Sequence, residues 1–208
     1  MKAKAFIVVN VYDLTKLNKL FRFAKLGVYH TAVVIDNLYE YYFGFKAYSY
    51  TGIDIPEIVG SLPSSMTGEF YTKVEMGESK YTAEECEEII NIFTSSSRWL
   101  SDHYNILYHN CNDFSYELCS VLLEKEQIKK FPFWVKRGMY LGRFIFSTSI
   151  SYILGLSSHP IPGFGTPPEE FSETEEEIQN VGKAVTEEST PTKSATEIET
   201  VSESHSTL

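Results

Sequence analysis

The chain has 208 residues with 14 Tyr and 14 Phe, enough for one domain with a full core and a further segment. Its net charge of −10 is unevenly placed: residues 157–208 contain 11 Glu and 2 Lys and carry −9, which leaves −1 for residues 1–156. Neither part offers the basic face that nucleic acids require, so we exclude nucleic-acid binding.

The three cysteines, Cys86, Cys111 and Cys119, match no zinc motif and no disulfide framework. Residues 1–13 contain only a short apolar run, too short for a signal peptide. We therefore expect a reducing compartment, the cytoplasm and also the nucleus, and we predict no metal and no cofactor.

The first half of the chain predicts mainly β-structure. Runs of β-branched and aromatic residues indicate strands, and apolar residues at helical spacing indicate one short helix. In chain order these are a strand over 4–12, a short helix or helical loop over 14–26, a hairpin of strands over 28–35 and 38–43, and a strand over 70–76. The intervening residues 44–68 are rich in Gly, Ser, Tyr and Pro and predict a long loop of the kind that often carries function.

Two helices are predicted in the second half. Thr82 opens a capping box at the start of a helix over 82–97, whose apolar stripe includes Cys86. A helix over 111–124 follows from the helical spacing of its apolar residues, and Cys119 lies inside it. Neither cysteine has an activating feature, so both are predicted to be core residues.

The amino-acid composition of the remaining chain changes near residue 156. The run Phe131-Pro132-Phe133-Trp134 predicts a break, followed by a helical segment. Residues 144–156 are uncharged but well short of the roughly 20 residues of a spanning helix, so we expect a buried or surface-lying helix, with contact to a membrane surface left open. Residues 157–208 are dominated by Thr, Ser, Glu and Pro, which predicts a disordered acidic tail after a folded domain over 1–156.

Cys111 stands where a loop meets a helix. Asn110 is a good N-cap and Asp113 can bond back to it, which puts Cys111 in the first turn. Free N–H groups and the positive end of the helix dipole favour an anion there, so we expect a lowered thiol pKa, a nucleophile near neutral pH and donors for an oxyanion. The alternative is that Cys111, like most free cysteines, is a small buried apolar residue.

A thiolate nucleophile usually requires a histidine as its acid and base. Two of the five histidines lie in or beside the acidic tail. His103 and His109 shortly precede Cys111, where they form at most an incomplete zinc site, and His109 is equally consistent with a solvated or capping residue. His30 lies on a strand of small and apolar residues, a rigid platform for a base, with a satisfied, half-buried histidine as the alternative.

Five segments occur in a specific order and together carry a family resemblance. They are Val9-Asn10-Val11-Tyr12-Asp13, Gly27-Val28-Tyr29-His30-Thr31, Glu40-Tyr41-Tyr42-Phe43-Gly44, Asn110-Cys111-Asn112-Asp113-Phe114-Ser115 and Phe131-Pro132-Phe133-Trp134-Val135-Lys136-Arg137. Over about residues 4–143 they closely resemble the PPPDE family, the DeSI-type isopeptidases. The Asn-Val-Tyr-Asp start and the Pro-x-Trp segment resemble the DeSI-2-like branch most.

The resemblance implies a papain-like cysteine protease fold with a permuted chain, in which the histidine precedes the cysteine. It implies that Cys111 is the nucleophile and His30 the general acid and base. The implied reaction is hydrolysis of the isopeptide bond between a ubiquitin-like modifier, SUMO or ubiquitin, and a target lysine. Some members are described as thioesterases that remove palmitate from cysteine, and the same dyad serves either reaction.

Two positions depart from the family pattern. The usual Asn-Cys-Asn-His reads Asn-Cys-Asn-Asp, with Asp113 in the place of the histidine, and Phe131 replaces the Ile of Ile-Pro-x-Trp. A carboxylate close to the thiol would oppose its ionisation, which keeps a third reading open, an inactive adaptor that retains the fold. No third catalytic side chain is assigned, and Asn110, Asn112 and Asp13 are candidates only.

We therefore expect an α+β domain whose mixed or antiparallel sheet packs against the Cys111 helix and others. In the expected mechanism the N–H of Cys111 and one unidentified donor hold the oxyanion, and His30 protonates the leaving amine. Tyr48, Tyr50 and Gly52 of the long loop are candidates for lining the substrate groove, with an ordinary packing loop as the alternative. Conjugates of ubiquitin-like modifiers are the expected partners, and the oligomeric state, a homodimer included, does not follow from the sequence.

Overall fold

The computed structural model describes residues 2–16, 18–46, 50–63 and 66–145. The strands are β1 (Lys4–Asp13), β2 (Tyr29–Ile35), β3 (Tyr39–Phe43), β4 (Ile53–Asp54) and β5 (Glu69–Thr82). The α-helices are α1 (Asn18–Phe21), α2 (Ala83–Ser95), α3 (Cys111–Leu122), α4 (Lys125–Ile128) and α5 (Arg137–Ile145). Short 3-10 helices span Arg22–Ala24, Ser97–Trp99, Ser101–His103 and Phe133–Lys136. The tail predicted over 157–208 and most of the apolar segment lie outside the described residues.

The strands form one antiparallel sheet in the order β4-β3-β2-β1-β5, which confirms the α+β class. β1 and β2 pair from Ile7 opposite Ile35 to Asp13 opposite Tyr29. The predicted hairpin of β2 and β3 is confirmed. Its two turn residues, Asp36 and Asn37, both have positive φ, as tight hairpin turns of this kind require.

Alternation along the strands separates two faces of the sheet. On one face, Tyr29, Val33 and Ile35 of β2 join the main core, and α2 and α3 pack over them with Phe93, Phe114 and other apolar side chains. On the opposite face a smaller cluster is formed by Tyr12, Ala32, Tyr42, Leu62 and Met66. The sheet thus has a helix-covered face and a loop-covered face.

The long loop lies over the second face. Its Gly60 N–H donates to Oε2 of the buried Glu40 at 2.6 Å, which ties the loop to β3. Tyr50 is 81% exposed, Gly52 continues into β4, and Tyr48 lies outside the described residues.

The short helix or helical loop predicted over 14–26 is confirmed as α1 and the 3-10 turn after it, and the Asn18 side chain bonds both ends of the segment, Asp13 at 2.5 Å and the Val28 main chain at 2.8 and 2.9 Å. One predicted strand was wrong in extent. The strand over 70–76 continues to Thr82, because Gly77 at φ 115° allows a bulge in the pairing with β1.

The two main helices were predicted correctly. Thr82 caps α2 with a full capping box, and α3 begins at Cys111. Cys86 and Cys119 are fully buried in the core, as expected. Within the described ranges, every helix is too short or too polar to cross a membrane.

Candidate active site

The first turn of α3 is built as its sequence predicts. The Asn110 side chain accepts a hydrogen bond from the N–H of Asn112 at 2.8 Å, and Asp113 accepts one from the N–H of Asn110 at 3.1 Å. Phe114 and the apolar residues one and two turns later are fully buried and anchor the helix in the core. Cys111 is therefore held rigidly at the helix N-terminus.

Thr31 fastens this turn to β2. Its hydroxyl lies 3.2 Å from the Cys111 carbonyl oxygen, 3.0 Å from Oδ1 of Asn112 and 3.0 Å from Oγ of Ser115. The Asn112 amide also donates to the carbonyl of Tyr29 at 3.3 Å. All of these groups are buried, so the position of Cys111 over β2 is fixed by a satisfied polar cluster.

The thiol of Cys111 is protonated in this environment. Burial raises its pKa to about 11, and the charge of Asp113 acts in the same direction. The N–H groups of Thr31 and Asn112 and the hydroxyl of Tyr104 face the sulfur and lower the pKa, but by less. The expected lowering of the pKa was therefore wrong for this state, because desolvation outweighs the donors at the helix end.

Cys111 forms part of the wall of a cavity of about 280 Å³. The residue itself is only 3% exposed. The other lining residues, mostly apolar, are Leu14, Gly27, Val28, Tyr29, Tyr104, Ile106, Leu107, Asn110, Asn112, Val135, Gly138, Met139, Leu141 and Gly142. None of the described residues of the long loop is among them, and Tyr48 lies outside the described residues, so a role of this loop in a substrate groove stays a prediction.

Helix α5 supplies one side of the cavity and packs closely against the segment before β2. A side-chain carbon at Gly138 would overlap the carbonyl oxygen of Gly27, and one at Gly142 would come within 2.9 Å of Leu107. The absence of side chains at these two helix positions therefore sets the distance between α5 and the opposite wall.

His30 is buried on the loop-covered face of the sheet, opposite to the helix-covered face on which Thr31 contacts α3. Its ring contacts those of Tyr12 and Tyr42, with centroids 6.0 and 5.3 Å away, and burial lowers its pKa to about 4. Within the described part of the chain no hydrogen bond joins His30 to Cys111. The Thr31 N–H that faces the sulfur is nevertheless bonded directly to the carbonyl carbon of His30, so the two residues approach the same peptide unit.

A comparison with protein families places this site in context. The family model described as "PPPDE putative peptidase domain" matches residues 5–152. The chain belongs to the PPPDE peptidase family. The match contains β1 to β5, the Cys111 turn and α5, and with them the whole cavity.

Two curated relatives of this PPPDE chain are distant. A DeSI-like protein of Arabidopsis thaliana is 27% identical over 139 residues, which cover 66% of this chain and 57% of the relative. A protein named desumoylating isopeptidase 1 homolog, from Caenorhabditis elegans, is 25% identical over 138 residues, which cover 65% of this chain and 39% of the relative. This chain therefore spans less than two thirds of either relative. No solved structure matches it significantly.

The histidines that shortly precede Cys111 in this PPPDE domain, His103 and His109, are not part of a metal cluster among the described residues. His109 is 4% exposed, stacks on Trp99 at 4.6 Å and contacts the Arg98 carbonyl through Nε2 at 2.9 Å. It is a core residue rather than a solvated or capping one, and burial lowers its pKa to about 4. Among the described residues, no three His, Cys, Asp or Glu side chains are grouped to hold a metal ion.

Asp113, which replaces the histidine of the family motif, has a cation beside it. Nζ of Lys136 lies 2.8 Å from its Oδ1, and both side chains are largely buried. Lys136 also lies 5.0 Å from the ring centre of Tyr116. The Lys136 charge offsets part of the repulsion that the Asp113 carboxylate exerts on a Cys111 thiolate. Sequence reasoning missed this pairing, because the partners are 23 positions apart.

Removing either charge should move the reactivity of Cys111 in a definite direction. At a fixed pH below the pKa of the thiol, Lys136→Met is expected to slow alkylation of Cys111 by iodoacetamide, and Asp113→Asn is expected to accelerate it. Each change in rate should be roughly threefold, because each variant removes one partly screened charge. Mass spectrometry resolves Cys111 from the other two cysteines. The double variant is the control and should return close to the wild-type rate. Equal rates in all four proteins would show that this pair does not act on the thiol.

Proposed function

We propose that this chain is a thiol isopeptidase that hydrolyses the bond between a ubiquitin-like modifier, SUMO or ubiquitin, and a target lysine. Cys111 is the nucleophile and His30 the general acid and base, on a permuted papain-like fold. The observation that carries the proposal is the place of the Cys111 sulfur, in the first turn of α3, at a cavity wall and against the peptide unit that follows His30. Membership of the PPPDE family and the relative named as a desumoylating isopeptidase support it.

The resting state has the protonation that the first step requires. A thiol with a pKa near 11 keeps its proton at neutral pH, and an imidazole with a pKa near 4 is free to accept one. The same values make the ion pair unfavourable while both groups are buried. Entry of substrate or water into the cavity, with rotation of the His30 ring towards the sulfur, therefore precedes attack in the proposed mechanism.

The reaction then follows the course of acyl transfer to a thiol. His30 takes the thiol proton, and the sulfur attacks the acyl carbon while the carbonyl π electrons move to oxygen. When the carbonyl re-forms, the bond from carbon to the lysine nitrogen breaks and the His30 imidazolium protonates that nitrogen. Water, deprotonated by His30, attacks the thioester, and the carbon–sulfur bond breaks to release the carboxylate and regenerate Cys111.

The cavity lining favours one second candidate, a thioesterase that removes a fatty acyl group from cysteine. Most of the residues that line the cavity at Cys111 are apolar, including Leu107, Val135, Met139 and Leu141, and they suit an alkyl chain. The chemistry of the dyad would be the same, with a thiolate rather than an amine as the leaving group.

A side-by-side assay separates these functions. The full chain is incubated with SUMO and ubiquitin joined to a lysine peptide through an isopeptide bond, and with a palmitoylated cysteine peptide, with Cys111→Ser as the blank for each. We expect kcat/KM for the best isopeptide substrate to exceed that for the thioester at least tenfold after the uncatalysed rates are subtracted. The opposite order would support the thioesterase. No turnover of any substrate would support the inactive adaptor.

A further inference from the structure

The mechanism expected from the sequence has the N–H of Cys111 and one unidentified donor at the oxyanion. The structure offers a candidate for this second donor, Tyr104. Tyr104 follows the short helix Ser101–His103 and is held there by its N–H, which donates to the carbonyl of Ser101 at 3.2 Å. Its ring lies against Phe43, with centroids 5.3 Å apart. The side chain lines the same cavity as Cys111, and these contacts hold its ring in the cavity wall.

The Tyr104 side chain interacts with the Cys111 thiol across this cavity. This interaction lowers the pKa of the thiol, as expected of a donor that stabilises the thiolate. Burial, with the Cys111 charge as a smaller cause, keeps the pKa of Tyr104 itself well above its ordinary value. The phenol therefore remains a donor over the whole pH range in which the thiol reacts.

The two amide side chains in the cavity wall, those of Asn110 and Asn112, are already engaged. The Asn110 amide nitrogen donates to the carbonyl of Ile106 at 3.0 Å, and the Asn112 amide nitrogen donates to the carbonyl of Tyr29 at 3.3 Å. Both amides also lie against the sulfur of Met139. Tyr104 is thus the side-chain donor that lines the cavity and already faces the reacting atom.

An oxyanion formed at Cys111 lies inside the cavity that Tyr104 also lines. The acyl carbon is bonded to the sulfur, and the oxygen is bonded to that carbon, so a donor in this cavity wall that interacts with the thiol is well placed to reach the oxygen. Donors placed where negative charge develops are among the largest contributions to catalysis of acyl transfer.

We propose that Tyr104 is a catalytic residue whose hydroxyl donates the second hydrogen bond to the oxyanion, beside the N–H of Cys111. The role rests on the proposed function. When the carbonyl electrons move to oxygen, the Tyr104 hydrogen bond moves from sulfur to that oxygen, and no proton is transferred. When the carbonyl re-forms and the leaving group departs, the hydrogen bond returns to sulfur.

The first test compares Tyr104→Phe with Tyr108→Phe, which removes the same atom four residues along the loop from a ring that packs on Arg143. Tyr104→Phe is expected to lower kcat for the isopeptide substrate roughly 100-fold or more with KM changed less than threefold, the effect of losing one oxyanion donor. Tyr108→Phe should stay within twofold of wild type in both constants. Equal losses in the two variants, or a kcat of Tyr104→Phe within threefold of wild type, would overturn the proposal.

The second test does not depend on hydrolysis. The rate of alkylation of Cys111 by iodoacetamide is measured against pH for the same proteins. Tyr104→Phe should shift the profile to higher pH, because the thiolate loses a donor, and Tyr108→Phe should leave it in place. An unshifted profile for Tyr104→Phe excludes the contact with sulfur. If wild type hydrolyses no substrate, the proposed function and the oxyanion role fail together, and this profile still decides whether Tyr104 acts on the thiol.

Discussion

Replacement of Cys111 by Ser or of His30 by Ala is expected to lower kcat/KM for isopeptide hydrolysis roughly 10³-fold or more. Each substitution removes one residue of the proposed catalytic dyad, and the remaining residue cannot act alone. A serine hydroxyl keeps the size of the thiol but is far harder to ionise. Alanine at position 30 leaves no group to accept the thiol proton or to protonate the lysine nitrogen. The two losses should not add in the double variant.

Cys86→Ser and His103→Ala are the matched controls for this prediction. Cys86 is a buried thiol of α2 whose sulfur lies 3.6 Å from Oγ of Ser79, and His103 is the partly exposed histidine before Tyr104. Both controls should retain activity within a few-fold. Imidazole added to the solvent should restore part of the activity of His30→Ala and none of that of Cys111→Ser. Full activity of His30→Ala without imidazole would remove His30 from the mechanism.

Mild acid should destabilise the fold through two buried histidines. His30 and His109 have pKa values of about 4 in the folded chain, against about 6.5 when unfolded. Between these values the unfolded chain binds protons that the folded chain does not, so the free energy of unfolding falls as the pH falls. From pH 7.5 to 4.5 each histidine should cost about 2.5 kcal/mol, a large part of the stability of an ordinary domain.

Urea unfolding at the two pH values tests this in wild type, His30→Asn, His109→Gln and the double variant. The quantity compared is the difference in unfolding free energy between the two pH values, so any general loss of stability in a variant cancels. Each single variant should show a difference smaller by about 2.5 kcal/mol than wild type, and the double variant by about twice that. A difference equal to that of wild type would mean that the substituted histidine does not resist protonation in the fold.

Local sequence signals were sufficient for the helix that carries Cys111. The cap at Asn110 and the apolar spacing after it can be recognised within a dozen residues, and both were confirmed. The short helix or helical loop expected over 14–26 was also confirmed, but the bonds of its Asn18 side chain to residues on either side of the segment were not foreseen. Such a contact depends on where the chain turns and leaves no periodic signal in the sequence.

The chemistry of the site was less predictable than its position. A cysteine at a helix N-terminus was expected to have a lowered pKa, and burial reversed the sign. Thr31 and Tyr104 were not singled out, because their contacts with Cys111 arise from packing of β2 and of the loop against α3. The pairing of Cys111 with His30 came from a resemblance and remains a prediction.

The contact between Gly27 and Gly138 has a consequence for ligand size. Main-chain atoms meet at that place, and they cannot rotate aside as the end of a long side chain can. At this one place the width of the cavity beside Cys111 is set by backbone atoms, and a wider ligand there has to separate α5 from the segment before β2 as whole units. In a series of steadily bulkier acyl groups, acceptance of the ligand would then end at a definite width instead of falling gradually.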